Sequence, residues 1–485
     1  MMLYKYTYSE LRAGYEAKDF TVKEVLASYI QKIEENQNLN GYITLCLEQA
    51  LQEAKKADEN FAAGQPRKLE GMPIAVKDNF CMKGLRTTAA SKMLENFIPH
   101  YNSSVIDRIL NEGVIVLGKA NMDEFAMGSS NETSYFGSVL NPWGNDKAIA
   151  PGGSSGGSAA IVAAGSSVAA LGTDTGGSVR QPASFCGITG MRPTYGLCSR
   201  YGIVAFASSL DQAGPMTRDV ADNALLLSVM AGHDPKDMTT LTEEIPDYSA
   251  ILKNPISLKG KSFAYIEECL SASDEAVQRN MQNVFALLRE RGAIVDPISL
   301  KLQKYAISAY VLISACEASS NLARYDGVRY THRSQNADKL SNLYNESRSE
   351  GFGAEVKRRL CIGTYALSAS EYEEFYLRVQ KLRRLIYNDF MSVFAKYDLI
   401  LTPTSPSEPF VLGEIQSPCA MYAQDHMTVM NALVGLPGLS IPSGLGAQGL
   451  PLGLQIIGNF LSESDIYALA HVLEKEIAFQ SWLKK

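Results

Sequence analysis

The chain has 485 residues, 45 basic against 52 acidic side chains and a net charge of −7, with no long Lys/Arg run to mark a nucleic-acid footprint. Its eight cysteines, at 46, 81, 186, 198, 269, 316, 361 and 419, form no C-x-x-C pair, so buried reduced thiols are expected and not a disulfide framework or zinc site. The first residues show no signal core, and no stretch approaches the roughly 18 apolar residues of a membrane span. A cytoplasmic protein without membrane contact is therefore expected.

In chain order, the first sixty residues read as helical. Thr21 and Glu24 have the spacing of a capping box, and Val25, Leu26, Tyr29, Ile30 and Ile33 form one apolar face behind them. Strand and helix then alternate. Residues 74–76 and 114–117 are short apolar runs bounded by glycine or proline, as buried strands are. Residues 158–164 suit a short helix and 168–171 the next strand. Residues 234–248 are polar and are expected to form a surface insertion. A second α/β stretch has strands at 263–266 and 293–295 around a helix at 274–291 that stops at Gly292. A long helix at 372–397 leads into a strand at 399–401 and a proline-rich loop.

Two glycine loops stand out. One is Pro151-Gly152-Gly153-Ser154-Ser155-Gly156-Gly157-Ser158, and the other is Gly172-Thr173-Asp174-Thr175-Gly176-Gly177-Ser178-Val179-Arg180. Ser154 and Ser178 lie 24 positions apart, and the apolar run Pro73-Ile74-Ala75-Val76-Lys77 stands upstream. Linkers are often rich in Gly and Ser, but these loops are flanked by strand and helix signals. A phosphate loop is disfavoured because neither G-x-G-x-x-G nor G-K-[ST] is present. No histidine lies between Tyr101 and Gly232, which excludes a Ser-His-Asp triad built here. A serine nucleophile without imidazole needs another base, and a buried lysine can supply one.

These motifs resemble the amidase signature family. The resemblance covers nearly the whole chain and implies one α/β domain, 1–485, comprising a helical region 1–65, a core 66–225 and a second α/β part 226–485. It also implies a large twisted, mostly parallel sheet covered by helices on both faces. By resemblance, Ser178 is the nucleophile, Ser154, joined to Gly153 by a cis peptide bond, relays the proton, and Lys77 is the terminal base. That role requires burial to pull the lysine well below its usual pKa near 10.4. Backbone N–H groups of Thr175, Gly176, Gly177 and Ser178 would form the oxyanion hole. Asp174 and Arg180 read as supports, and Ser155 and Ser158 as hydrogen-bonding members of the loop.

Asn121-Met122-Asp123-Glu124-Phe125-Ala126-Met127-Gly128-Ser129-Ser130, Glu317-Ala318-Ser319-Ser320-Asn321-Leu322, Arg324-Tyr325-Asp326-Gly327-Val328-Arg329-Tyr330 and Glu355-Val356-Lys357-Arg358-Arg359 resemble the family's glutaminase branch, which serves tRNA-dependent amidotransferases. The substrate implied is glutamine, with Arg358 for its α-carboxylate, Asp425 for its α-ammonium, Tyr310 as a wall and donor, and Met127 lining the pocket. The partners implied are a larger subunit that handles ATP, Mg²⁺ and Glu-tRNA(Gln) or Asp-tRNA(Asn), and a small clamp subunit. No cofactor and no major tRNA surface are expected in this chain. His426 and Met430 depart from the expected pattern beside Asp425, and His426 reads as structural. Rival readings are a stand-alone amidase for small carboxamides and a non-catalytic scaffold. The scaffold would have lost one of the three triad residues, and all are present.

Overall fold

A computed structural model describes residues 2–484. Eleven strands enter one sheet: β1 Tyr42–Leu45, β2 Pro73–Lys77, β3 Ile115–Ala120, β4 Ala169–Asp174, β5 Thr189–Arg192, β6 Gln212–Thr217, β7 Ser262–Ile266, β8 Ile294–Ile298, β9 Leu399–Pro403, β10 Gly438–Leu445 and β11 Pro451–Ile457. Their order is β1-β3-β2-β4-β6-β5-β10-β11-β9-β7-β8. The sheet is mixed. Parallel pairing holds in two flanks, β3-β2-β4 and β9-β7-β8, where the expectation of a parallel sheet applies. The stretch from β4 through β6, β5, β10 and β11 to β9 is antiparallel, as is the β1 edge.

Alternation along the strands covers both faces. On β2, Ile74 and Val76 join the core containing Val25, Leu26, Tyr29 and Ile33 of the helix Val22–Glu35. Ala75 points the other way, into a cluster with Ala159 and Val162 of the helix Gly156–Ala163. Lys77 follows Ala75 by two residues and shares its side of the sheet, towards the glycine loops.

The capping box at Thr21 is formed, with Glu24 N donating to Thr21 Oγ1 at 3.1 Å and Thr21 N to Glu24 Oε2 at 2.7 Å. Three expectations need correction. Residues 42–45 form strand β1 within the region read as helical, because Tyr42 pairs with Ala120 and the segment closes the sheet edge. The helix read at 372–397 opens with a π turn, Glu373–Leu377, where the rings of Tyr372 and Tyr376 stack at 5.3 Å, and continues as Arg378–Phe394. The segment 234–248 is not simply a surface insertion. Asp234, Asp237, Thr240 and Tyr248 are buried, and Asp237 pairs with Arg200 at 2.9 Å. Asp234, Asp237 and Thr240 are spent on internal partners, while Lys236, Thr239, Thr242, Glu243, Glu244 and Asp247 stay exposed as a surface insertion would have them. Among the described residues, no helix is long and apolar enough to cross a membrane.

Candidate active site

Lys77 is the last residue of β2 and is fully buried. Its Nζ donates to Ser154 Oγ and Ser155 Oγ, both at 2.8 Å, and to the Thr173 carbonyl at 3.3 Å. Among the described residues, no carboxylate lies within ion-pair distance of it. Burial pulls its pKa from 10.5 down to about 7, against the opposing fields of Asp123, Asp174 and Asp211. Lys119, on the adjacent β3, is equally buried but pairs with Asp78 at 3.1 Å. Asp78 is thereby committed away from Lys77, as strand alternation requires.

The two glycine loops meet over Lys77. Ser154 follows a cis peptide bond from Gly153, and its carbonyl accepts from Asp123 N at 3.2 Å. Ser155 N donates to the Ser178 carbonyl at 3.1 Å, which ties the loops together. Strand β4 carries the second loop further along than expected, to Asp174. Asp174 then organises the turn by accepting from Gly177 N at 2.9 Å and Val179 N at 3.2 Å, and by binding Arg180 Nη2 at 2.9 Å and Arg192 Nη1 at 3.1 Å. Burial would raise the Asp174 carboxyl, but the two guanidinium groups outweigh it and hold it well below the usual carboxylate range.

This corrects one member of the expected oxyanion hole. The Gly177 N–H is already engaged by Asp174, so it is not available to a substrate oxygen in this arrangement. The N–H groups of Gly176 and Ser178 donate to no protein atom among the described residues. Gly177 itself adopts φ +139°, and Thr428 lies where its Cβ would stand, so no larger residue fits the turn. Thr175 donates through Oγ1 to Asp211 at 2.7 Å, and the Gly176 carbonyl accepts from Thr428 Oγ1 at 2.6 Å. Ser178 follows at the turn, only 6% exposed.

The expected substrate residues divide. Tyr310, on the helix Ala306–Asn321, is buried with its ring against Gly176. Asp425 is buried and accepts from Ser129 Oγ at 2.6 Å, and burial pushes its carboxyl up to about 7 against that bond and the Arg359 field. Met127 is buried in the same apolar cluster as Tyr310 and Met427. Arg358 does not join them. Its side chain is 42% exposed and pairs with Glu355, three residues back on the same helix.

Arg359 takes the inward place. Its side chain is 3% exposed, its Nε donates to Glu355 Oε1 at 2.8 Å, and its guanidinium lies 4.7 Å from the Tyr422 ring centroid and 5.5 Å from that of Phe206. Its Nη1 is buried without a hydrogen-bond partner. The register explains the difference, since the helix Ala354–Ala366 buries Val356, Arg359, Leu360 and Gly363. The apolar pair Val356 and Leu360 marks that face in the sequence, and Arg359, not Arg358, lies on it. Sequence reasoning also missed Ser129 and Asp211, and it placed Ser155 in the loop without its contact to Lys77. His426 contacts Gln303 and is not among the hydrogen-bond partners of Lys77.

The Amidase family profile matches residues 24–466. The A subunit of the glutamyl-tRNA(Gln) amidotransferase of Caldanaerobacter subterraneus subsp. tengcongensis is 49% identical over 99% of this chain and 98% of its own length. The crystal structure of the corresponding A subunit from Thermotoga maritima, 36% identical, superposes with a TM-score of 0.78 over 98% of this chain and 95% of that one. The native peptide amidase of Stenotrophomonas maltophilia, 28% identical, superposes with a TM-score of 0.81 over 98% of both chains. The chain belongs to the amidase family.

Proposed function

We propose that this chain is the glutaminase subunit of a glutamyl-tRNA(Gln) amidotransferase. The observation that carries the chemistry is the buried Lys77 amine, held 2.8 Å from Ser154 with no carboxylate within ion-pair distance among the described residues. Near neutral pH it can be unprotonated and take a proton. Ser154 passes its hydroxyl proton to Lys77 and receives that of Ser178, whose Oγ attacks the δ-carbon of glutamine. The N–H groups of Gly176 and Ser178, with that of Thr175, receive the developing oxyanion. The proton returns to the amide nitrogen, ammonia leaves, and an acyl ester remains on Ser178. Water then attacks the ester with the same relay as base, releasing glutamate and restoring the three side chains.

Glutamine enters with two charges to be matched. Arg359 presents a buried, unpartnered Nη1 for the α-carboxylate, and Asp425 offers a carboxylate for the α-ammonium. Tyr310 closes the wall beside Gly176, with Met127 behind. Ammonia then serves a larger partner that binds ATP with Mg²⁺ and the misacylated tRNA, a small subunit holds the two together, and the assembly works in the cytoplasm. The similarity over almost the entire chain to amidotransferase proteins of this kind supports the reading. The similarity to a peptide amidase gives the alternative of a stand-alone amidase. The test is glutamine hydrolysis by the isolated chain, then with partner subunits and charged tRNA added. Glutaminase turnover that rises with the partners and vanishes in Ser178→Ala is expected. A chain that ignores glutamine in both settings but hydrolyses simple carboxamides would select the alternative.

A further inference from the structure

Glu124 is a buried carboxylate with no place in the chemistry above. Its Oε1 accepts from Ser91 Oγ, and its Oε2 accepts from the Gly353 backbone N–H at 2.8 Å. Gly353 is the N-cap of the helix Ala354–Ala366 and, lacking a side chain, cannot cap it. Glu124, whose carboxyl burial pushes up to about 7, supplies an acceptor oxygen to this helix N-terminus from a distant part of the chain.

That helix carries Arg359, and its other anchor is on the substrate side as well. Gly363 packs so closely against the Ala315 carbonyl, on the helix that carries Tyr310, that a Cβ would stand 2.0 Å from that oxygen. Arg359 lies between the two fixed points. Rotation of the helix by one residue, about 100°, would bring the Arg358 position towards the pocket and move Arg359 out of it. Glu124 also belongs to the loop that reaches the rest of the site. Its neighbour Asp123 donates its N–H to the Ser154 carbonyl at 3.2 Å, and Ser129 holds Asp425 at 2.6 Å. One short loop thus touches the serine loop, the partner for the substrate ammonium and, through Glu124, the helix bearing the partner for the substrate carboxylate.

We propose that Glu124 is a positioning residue for substrate recognition, fixing the rotational setting of the helix Ala354–Ala366 through Gly353 so that Arg359 faces the pocket. This rests on the glutaminase reading. Glu124 touches neither substrate nor reacting atoms, so its loss should weaken glutamine binding and spare the acylation chemistry.

The experiment compares glutamine with a simple aliphatic amide on wild type, Glu124→Leu, Glu124→Gln, Arg359→Ala and the Glu124→Leu/Arg359→Ala double variant, with a thermal melt of each. Glu124→Leu should raise KM for glutamine about tenfold or more and leave kcat within about threefold, with the aliphatic amide unaffected. Glu124→Gln should restore KM to within about twofold, because its amide oxygen can accept from Gly353 N–H while its nitrogen donates to Ser91 Oγ. The Leu substitution should add little on the Arg359→Ala background, since both act on one contact. If Glu124→Leu does not fold, Ser91→Ala, which removes one anchor of the carboxylate, must still raise the glutamine KM selectively. A fall in kcat shared by both amides, additive effects in the double variant, or an unchanged glutamine KM in a folded Glu124→Leu would each overturn the proposal while leaving the glutaminase reading in place. A wild type that prefers the aliphatic amide would overturn that reading, and this proposal with it.

Discussion

Lys77 and Lys119 lie on adjacent strands, equally deprived of water, and burial lowers the proton affinity of both. Lys119 has Asp78 at 3.1 Å to oppose that fall directly, whereas the hydrogen-bond partners of Lys77 are hydroxyls and a carbonyl. Neutral hydroxyls solvate an ammonium less well than water does, so the proton is held less firmly and the amine can act as a base. Lys77→Arg should therefore lose nearly all glutaminase activity although it keeps the charge, because a guanidinium does not deprotonate in a protein. Substantial turnover in that variant would show that charge alone is what the site needs. The same displacement has a thermodynamic sign. The unfolded lysine keeps its proton to about pH 10.5, while the folded one yields it near 7, so unfolding takes up a proton between those values. Wild type should then gain stability relative to Lys77→Met as pH rises from 7 to 10.5, at up to about 1.4 kcal/mol per pH unit. Urea unfolding of both proteins at pH 7, 8 and 9 reads the difference, and parallel curves would mean that the folded lysine keeps its ordinary affinity for protons.

At the level of single elements, the helix Ala354–Ala366 carries the sharpest test of substrate recognition. Arg359→Ala should raise KM for glutamine about ten- to a hundredfold, the value of a lost charge-assisted hydrogen bond, and Arg358→Ala should leave it within about twofold. Equal effects, or a larger one at Arg358, would reverse the register argument. The same helix shows where the sequence is legible and where it is not. The loop–strand–loop pattern around Ser154 and Ser178 and the apolar run ending at Lys77 can be read because each depends on local spacing and composition. The choice between two adjacent arginines depends on which helix face is buried, and the Val356/Leu360 pair carries that information only once the helix boundaries are known. β1, β5, β6, β10 and β11 escape a reading of apolar runs for a related reason. They are short or broken by glycine and proline, as in the Gly438–Leu445 strand with Pro442 inside it, and they qualify as strands only through cross-strand partners far away in sequence. The Asp174 contact to Gly177 N is likewise invisible in the sequence, since it depends on how the turn closes.

Across the molecule, the parts of the site come from opposite ends of the chain, and they must be held together by something stiffer than apolar contact. The triad lies in the first half, and Asp425 and Thr428 in the second. Arg180 joins them. It binds Asp174 on the nucleophile loop and extends to Asn431 Oδ1 at 2.8 Å, the Thr428 carbonyl at 2.9 Å and Gln455 Oε1 on β11 at 2.5 Å. Every partner is buried, so these bonds are not screened by water. Removing the guanidinium leaves Asp174 with Arg192 as its only remaining cationic partner among the described residues and frees the Thr428 segment, which contacts the Gly176 carbonyl. Breaking a buried pair from one side typically costs about 3–5 kcal/mol. Arg180→Met, which retains most of the apolar bulk, should lose stability on that scale in urea unfolding at pH 7. It should also lose kcat in whatever folded fraction remains, since the oxyanion donors and the Asp425 segment no longer share a fixed frame. The stability difference from wild type should narrow as pH falls below about 3.8, where the unfolded aspartate becomes protonated and the wild-type advantage of a depressed Asp174 pKa is progressively lost. A loss no larger than that of the exposed Arg358→Ala, and constant with pH, would mean that the two halves are held by apolar packing alone and that Arg180 is a passenger in the core.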